Sequence, residues 1–232
     1  MTMSRIVSPV PTIALRPTLK LFRMARARHG PACACSSRCL TREAMTVNRK
    51  GGAQSLEAAA KALGKPIVLI GLMGAGKTTV GRRLATRLRC RFVDTDAAIE
   101  EAARLSVSEI FDAFGEAYFR DGERRVIARL LDEGSGVIAT GGGAFCQDET
   151  RRLILEQGLA VWLDCDTAIL AERTGRRNTR PLLKGGNRHE ILARLAAERR
   201  PLYRQAQVHV RAGDGPHTQT VEAILQAVAQ WR

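Results

Sequence analysis

From Pro66 onward the chain alternates two kinds of apolar pattern. Short uninterrupted apolar runs, "PIVLIG" (66–71), "GVIATGGG" (136–143) and "LAVWLDC" (159–165), read as strands buried on both faces. "RFVDTD" (91–96) and "AQVHVRA" (206–212) read as two more. The intervals carry helical spacing. One helix runs from the end of the glycine-rich stretch 71–79 to about Arg89, and 107–134 is mostly helical with a break near Gly115. An amphipathic helix over 218–231 closes the chain. Short apolar strands separated by helices predict an α/β fold, a five-stranded parallel sheet flanked by helices on both faces. Ligands then belong at the carboxyl ends of the strands.

Residues 1–62 differ. They show no sustained periodicity and hold Pro9, Pro11, Pro17 and Pro31, with arginines at 16, 23, 26, 28, 38 and 42. They are expected to be a basic, poorly ordered and non-catalytic extension, with 63–232 as the working domain. Two explanations stand side by side: an arginine-rich, acid-poor targeting segment, or translation that starts at Met45.

Charge sharpens that division. The net charge is +14, and residues 1–50 supply +9 of it from ten Lys/Arg and one acid, Glu43. The alkaline balance therefore belongs mostly to the extension. Only 4% of residues are aromatic, few for base stacking, so a nucleic-acid partner is not expected. No apolar run approaches the roughly 20 residues that span a bilayer, so no membrane partner is expected either. The six cysteines lack the second ligand pair of a zinc site and read as reduced cytosolic thiols.

The chemistry sits at strand ends. "GLMGAGKTT" (71–79) is a complete Walker A loop after a strand and before a helix. Its backbone N–H groups, from Gly74, Ala75 and Gly76 into Lys77, Thr78 and Thr79, are positioned to cradle phosphate oxygens. Lys77 reaches toward the β- and γ-phosphates, and the Thr78 hydroxyl is a Mg2+ ligand candidate. Asp94 and Asp96 follow the second strand and would point the same way on an extended backbone. One such carboxylate can hold Mg2+ and the other can take a proton from an attacking hydroxyl; a helix N-cap is the competing use. Arg120 and Glu123 have helical pair spacing, and Arg180 and Arg204 taken singly read as solvated charges. Gly141, Gly142 and Gly143 end the third strand, where missing β-carbons let a substrate lie against the backbone.

Taken in order, "GLMGAGKTTVGRRLA", "FVDTD", "FR..E", "TGGGA", "RNTRPLL" and "RPLYRQ" resemble the shikimate kinases, from about Pro66 to the last helix. The resemblance implies a P-loop NTPase fold with a mobile lid, here about 175–189. It also implies transfer of the ATP γ-phosphoryl to the 3-hydroxyl of shikimate, with Mg2+, in aromatic amino-acid biosynthesis by a cytoplasmic monomer. Carried over residue by residue, Asp96 becomes the hydroxyl-binding base and Asp94 the outer-sphere metal holder. Arg120 and Arg204 become the carboxylate grip, with Glu123 orienting Arg120, and Gly141–Gly143 become the substrate-side glycines. Arg180 becomes the lid arginine that stabilises transferring charge, and Arg173 the adenine-facing residue. The stretch "AGDGPH" (212–217) carries no motif residue to transfer. Two rivals remain at this stage. Another small-molecule P-loop kinase, acting for example on gluconate, explains the loop but not the arginines with the triple glycine. A nucleic-acid-binding NTPase rests on the basic extension alone.

Overall fold

The computed structural model describes residues 49–134, 136–175 and 187–231. Strand β1 (Ile67–Ile70) is buried at all four positions, which is why its sequence carries no polar alternation. It pairs with β3 (Val137–Ala139) on one side and β4 (Leu159–Asp164) on the other. Strand β2 (Phe92–Asp94) and strand β5 (Val208–Arg211) take the edges, giving the order β2-β3-β1-β4-β5 with every pairing parallel. The register matters for function: Leu69 and Asp94 are both level with Ala139. The chain thus leaves β1, β2 and β3 at one edge of the sheet. The phosphate loop, the two aspartates and the triple glycine all emerge there.

Helices cover the sheet. In chain order they are α1 (Arg49–Ala62), α2 (Lys77–Leu88), α3 (Thr95–Ala103), α4 (Val107–Asp132), α5 (Asp148–Gln157), α6 (Thr167–Gly175), α7 (Arg188–Tyr203) and α8 (His217–Gln230). Helix α4 starts with a reciprocal Ser106–Glu109 capping box. It breaks at Gly115 (φ 80°, ψ 173°), where the sequence anticipates a break. Helix α8 buries Val221, Ile224, Leu225 and Val228, the one-face spacing of an amphipathic helix. No helix among the described residues is long and apolar enough to cross a membrane.

The expected boundary at residue 62 is corrected. The second compact unit begins at Asn48, and α1 packs against α8 and α2. Ala60 is 5% exposed, Leu56 and Leu63 pack on the core, and Glu57 pairs with Arg87 at 2.5 Å. The physical signal is a short one: Leu56, Ala60 and Leu63 recur at helical spacing inside good helix formers. The extended path expected for 91–96 is also corrected, because β2 ends at Asp94 and α3 takes Thr95 and Asp96 into its first turn. The expected lid lies largely between α6 and α7; Arg180 is outside the described residues.

Candidate active site

At the end of β1 the chain turns through Gly74 (φ 84°) and Gly76 (φ 89°), conformations that L-residues resist. Gly76 leads into α2, so the helix's free N–H groups face the loop. Lys77 Nζ donates to the carbonyls of Gly71 (2.8 Å) and Leu72 (3.0 Å), which folds its side chain back over the loop. Thr78 and Thr79 follow on the exposed side. The loop, both aspartates, Gly141 and Gly142 line one open cleft of about 410 Å³.

Asp94 uses both of its carboxylate oxygens. Its Oδ1 accepts from the Asp96 N–H, capping α3, and its Oδ2 accepts from the Thr78 hydroxyl at 2.7 Å. The cap therefore holds the carboxylate beside the phosphate loop. Asp96, one residue inside α3, turns toward β3 instead: a β-carbon on Gly141 would lie 2.8 Å from Asp96 Oδ1. A hydroxyl beside a carboxylate, at Thr78 and Asp94, is an oxygen set that would suit a hard cation such as Mg2+.

The triple glycine is tied down from behind. The Thr140 N–H and hydroxyl both donate to the Leu69 carbonyl, and the Gly141 N–H donates to Thr95 Oγ1. None of the three glycines has positive φ. What they provide is space. A β-carbon on Gly141 would come 2.6 Å from Glu123 Oε1, and one on Gly143 would come 2.5 Å from Arg120 Nη2.

Arg120 and Glu123 lie on the second half of α4, past the Gly115 break. Arg120 Nη1 donates to Glu123 Oε2 at 2.7 Å, while Glu116 accepts at 3.1 Å from Nη2. Glu123 is 1% exposed, and among the described residues its Oε1 has no hydrogen-bond partner. Burial pushes the Glu123 carboxyl above its usual range; the Arg120 charge opposes that shift, and Asp96 and Glu116 add to it. Arg120 is therefore oriented by an acid that is itself held in an electronegative corner.

The second arginine differs from the expected one. Arg204 is the exposed C-cap of α7, and among the described residues its side chain makes no contact with the triple glycine. Arg199, five residues earlier, donates from Nη1 to the Gly142 carbonyl at 3.0 Å. Its neighbour Arg200 turns away to Asp164 at 3.2 Å. Helical spacing explains the difference, because Arg199 and Tyr203 share a face one turn apart whereas Arg204 does not. The "ERRPLY" stretch contains that signal, but three closely spaced arginines hide which of them points inward.

On the nucleotide side, Arg173 Nη2 donates to the Gly213 carbonyl at 2.7 Å and approaches Asp214 at 3.8 Å. This joins α6 to the 212–217 stretch. His217, not anticipated from the sequence, lines the same cleft with its ring against Gly76. Burial, together with the charges of Arg173 and Arg83, lowers its pKa below 6.5. Among the described residues, Cys90, Cys146 and Cys165 are free thiols and no three-residue metal cluster occurs.

The family model described as shikimate kinase matches residues 73–229. A shikimate kinase of Novosphingobium aromaticivorans is 57% identical over 173 residues, covering 73% of this chain and 90% of that protein. One from Caulobacter vibrioides is 56% identical over 166 residues, covering 72% and 83%. The solved shikimate kinase from Acinetobacter baumannii in complex with shikimate superposes with a TM-score of 0.69 at 38% identity, covering 72% of this chain and 95% of that one. With a family model spanning most of the folded unit and relatives above half identity, the chain belongs to the shikimate kinase family.

Proposed function

We propose that the cleft holds ATP over the phosphate loop and shikimate against Gly141–Gly143, and that the γ-phosphoryl passes between them. The observation that carries this reading is convergence. Asp96, the Arg120–Glu123 pair and Arg199 all meet the glycine run at the end of β3, beside the loop that ends β1. In the proposed step the shikimate 3-hydroxyl oxygen bonds to the γ-phosphorus as the bond to the β,γ-bridging oxygen breaks and ADP leaves. Asp96 accepts or polarises the hydroxyl proton. Loop N–H groups and Lys77 hold the phosphates in line.

Arg120 and Arg199 are proposed to grip the substrate carboxylate, since guanidinium forks match its geometry. Arg180 is proposed to act from the lid and Arg173 to face the adenine. Thr78 and Asp94 would hold Mg2+, which when bound neutralises charge on the phosphate oxygens. The reading takes the enzyme as a cytoplasmic monomer, because one chain carries every group named and its described thiols are free.

The test separates the two aspartates. Asp96→Asn should lower turnover by about 100-fold or more, the scale of general base catalysis, while MgATP binding persists. Asp94→Asn should raise the Mg2+ requirement, and added metal should partly restore its rate. Titrating MgATP, free Mg2+ and shikimate separately distinguishes them; rescue of Asp96→Asn by Mg2+ but not of Asp94→Asn would reverse the assignment.

A further inference from the structure

Tyr203 is 1% exposed, and its ring lies between Phe145 at 6.5 Å and Trp162 at 6.0 Å. A phenylalanine would fill that place without burying a hydroxyl, which loses water and needs a partner. The partner is the Gly142 carbonyl, which accepts from the Tyr203 hydroxyl at 2.5 Å. Arg199 donates to the same oxygen at 3.0 Å. A carbonyl has two lone pairs, so both donors fit at once. Burial keeps the Tyr203 phenol well above its ordinary pKa, so it remains a donor.

This clamp acts where the chain is least able to hold itself. Three successive glycines have the widest backbone freedom, and none carries a side chain to anchor it. The peptide is planar and trans, so fixing the Gly142 carbonyl directs the Gly143 N–H the opposite way. Among the described residues, the N–H groups of Gly142 and Gly143 donate to no protein acceptor. Gly143 is also the glycine whose β-carbon position is filled by the Arg120 fork.

We infer that Tyr203 is a positioning residue for acceptor binding, its hydroxyl holding the Gly142–Gly143 peptide and the Arg199 guanidinium in the orientation that receives shikimate. The inference rests on the proposed placement of shikimate. It adds that a core side chain, touching neither substrate, sets affinity for one of them. Tyr203→Phe keeps the ring contacts and removes one donor.

Steady-state kinetics on the full chain should show the shikimate KM rising about ten-fold, the scale of one buried hydrogen bond, with the ATP KM within about two-fold. In the Arg199→Ala background, the effect of Tyr203→Phe should depart from additivity, because the two donors share one acceptor. Shikimate binding followed by tryptophan emission gives a second measurement on whatever fraction folds, since Trp162 neighbours the ring. A lower melting temperature with both KM values unchanged would make Tyr203 a core residue only and overturn the inference. If Arg199→Ala raises the shikimate KM while Tyr203→Phe does not, the inference fails and the acceptor site stands. If neither variant moves it, the acceptor placement fails as well.

Discussion

Removing α1 should weaken the fold while sparing the chemistry. Compare a protein beginning at Asn48 with one beginning at Gly64, so that only Asn48, the helix and Leu63 differ. Leu56 and Leu63 are partly buried against the core, and Ala60 is 5% exposed. Full burial of an aliphatic side chain contributes roughly 1.5–3 kcal/mol, so two partly buried leucines and an alanine contribute roughly 3 kcal/mol. Uncovering the facing surface of α8 adds to the loss, and freeing the helix from its ordering entropy offsets part of it. The Glu57–Arg87 pair is partly exposed on both sides, at 26% and 39%, and adds no more than about 1 kcal/mol.

A net loss of roughly 2–4 kcal/mol follows. At about 2–4 °C per kcal/mol for a domain of this size, the melting temperature should fall by roughly 5–15 °C. Calorimetry measures that fall, and a coupled ADP-release assay well below both transitions measures activity. The expected result is a lower melting temperature with KM values for both substrates within a few-fold. A melting temperature within about 2 °C of the longer protein would show that α1 packs without stabilising. Loss of turnover where both proteins are folded would show that α1 takes part in the site.

Two further outcomes test the site's electrostatics. Arg199→Ala should raise the shikimate KM roughly 30-fold or more and leave that for ATP nearly unchanged, while Arg204→Ala should leave both unchanged, because truncating one desolvated charge costs about 2–5 kcal/mol and an exposed one costs little. The His217 ring, followed by proton NMR, should titrate below 6.5, with its midpoint moving up in Arg173→Ala. Since the folded state binds that proton less readily than the unfolded chain, His217 contributes stability above about 6.5 that is lost as pH falls through the lowered midpoint; a midpoint at or above 6.5 would refute the placement of these charges.

The sheet was legible because its central strands are buried on both faces and carry uninterrupted apolar runs. The Walker loop was legible because it needs glycine, lysine and threonine at set spacing after a strand. Arg199 was not, since choosing among Arg199, Arg200 and Arg204 requires the phase of α7, and Pro201 falls inside that helix. His217 was not, since what brings it to the cleft is the pairing of β5 with β4 and the Arg173–Gly213 bond, both long-range. Helix α1 was missed for a third reason. Its apolar stripe is only three residues long, and much of its stability comes from the α8 surface it covers.

The two glycine runs look alike in sequence but answer different physical needs. In the first, Gly74 and Gly76 have φ of 84° and 89°, and it is the backbone path that excludes other residues. In the second, a side chain is excluded by what faces it. Glu123 Oε1 and Asp96 Oδ1 crowd Gly141, and the Arg120 fork crowds Gly143. The phosphate loop therefore makes its site from its own N–H groups. The β3 loop is the bare floor on which acids and arginines from α3, α4 and α7 converge. A floor without side chains has to be held by its neighbours, Thr95 and Tyr203 from beneath and Arg199 from α7. Substitutions below it should therefore alter acceptor affinity before they alter nucleotide affinity.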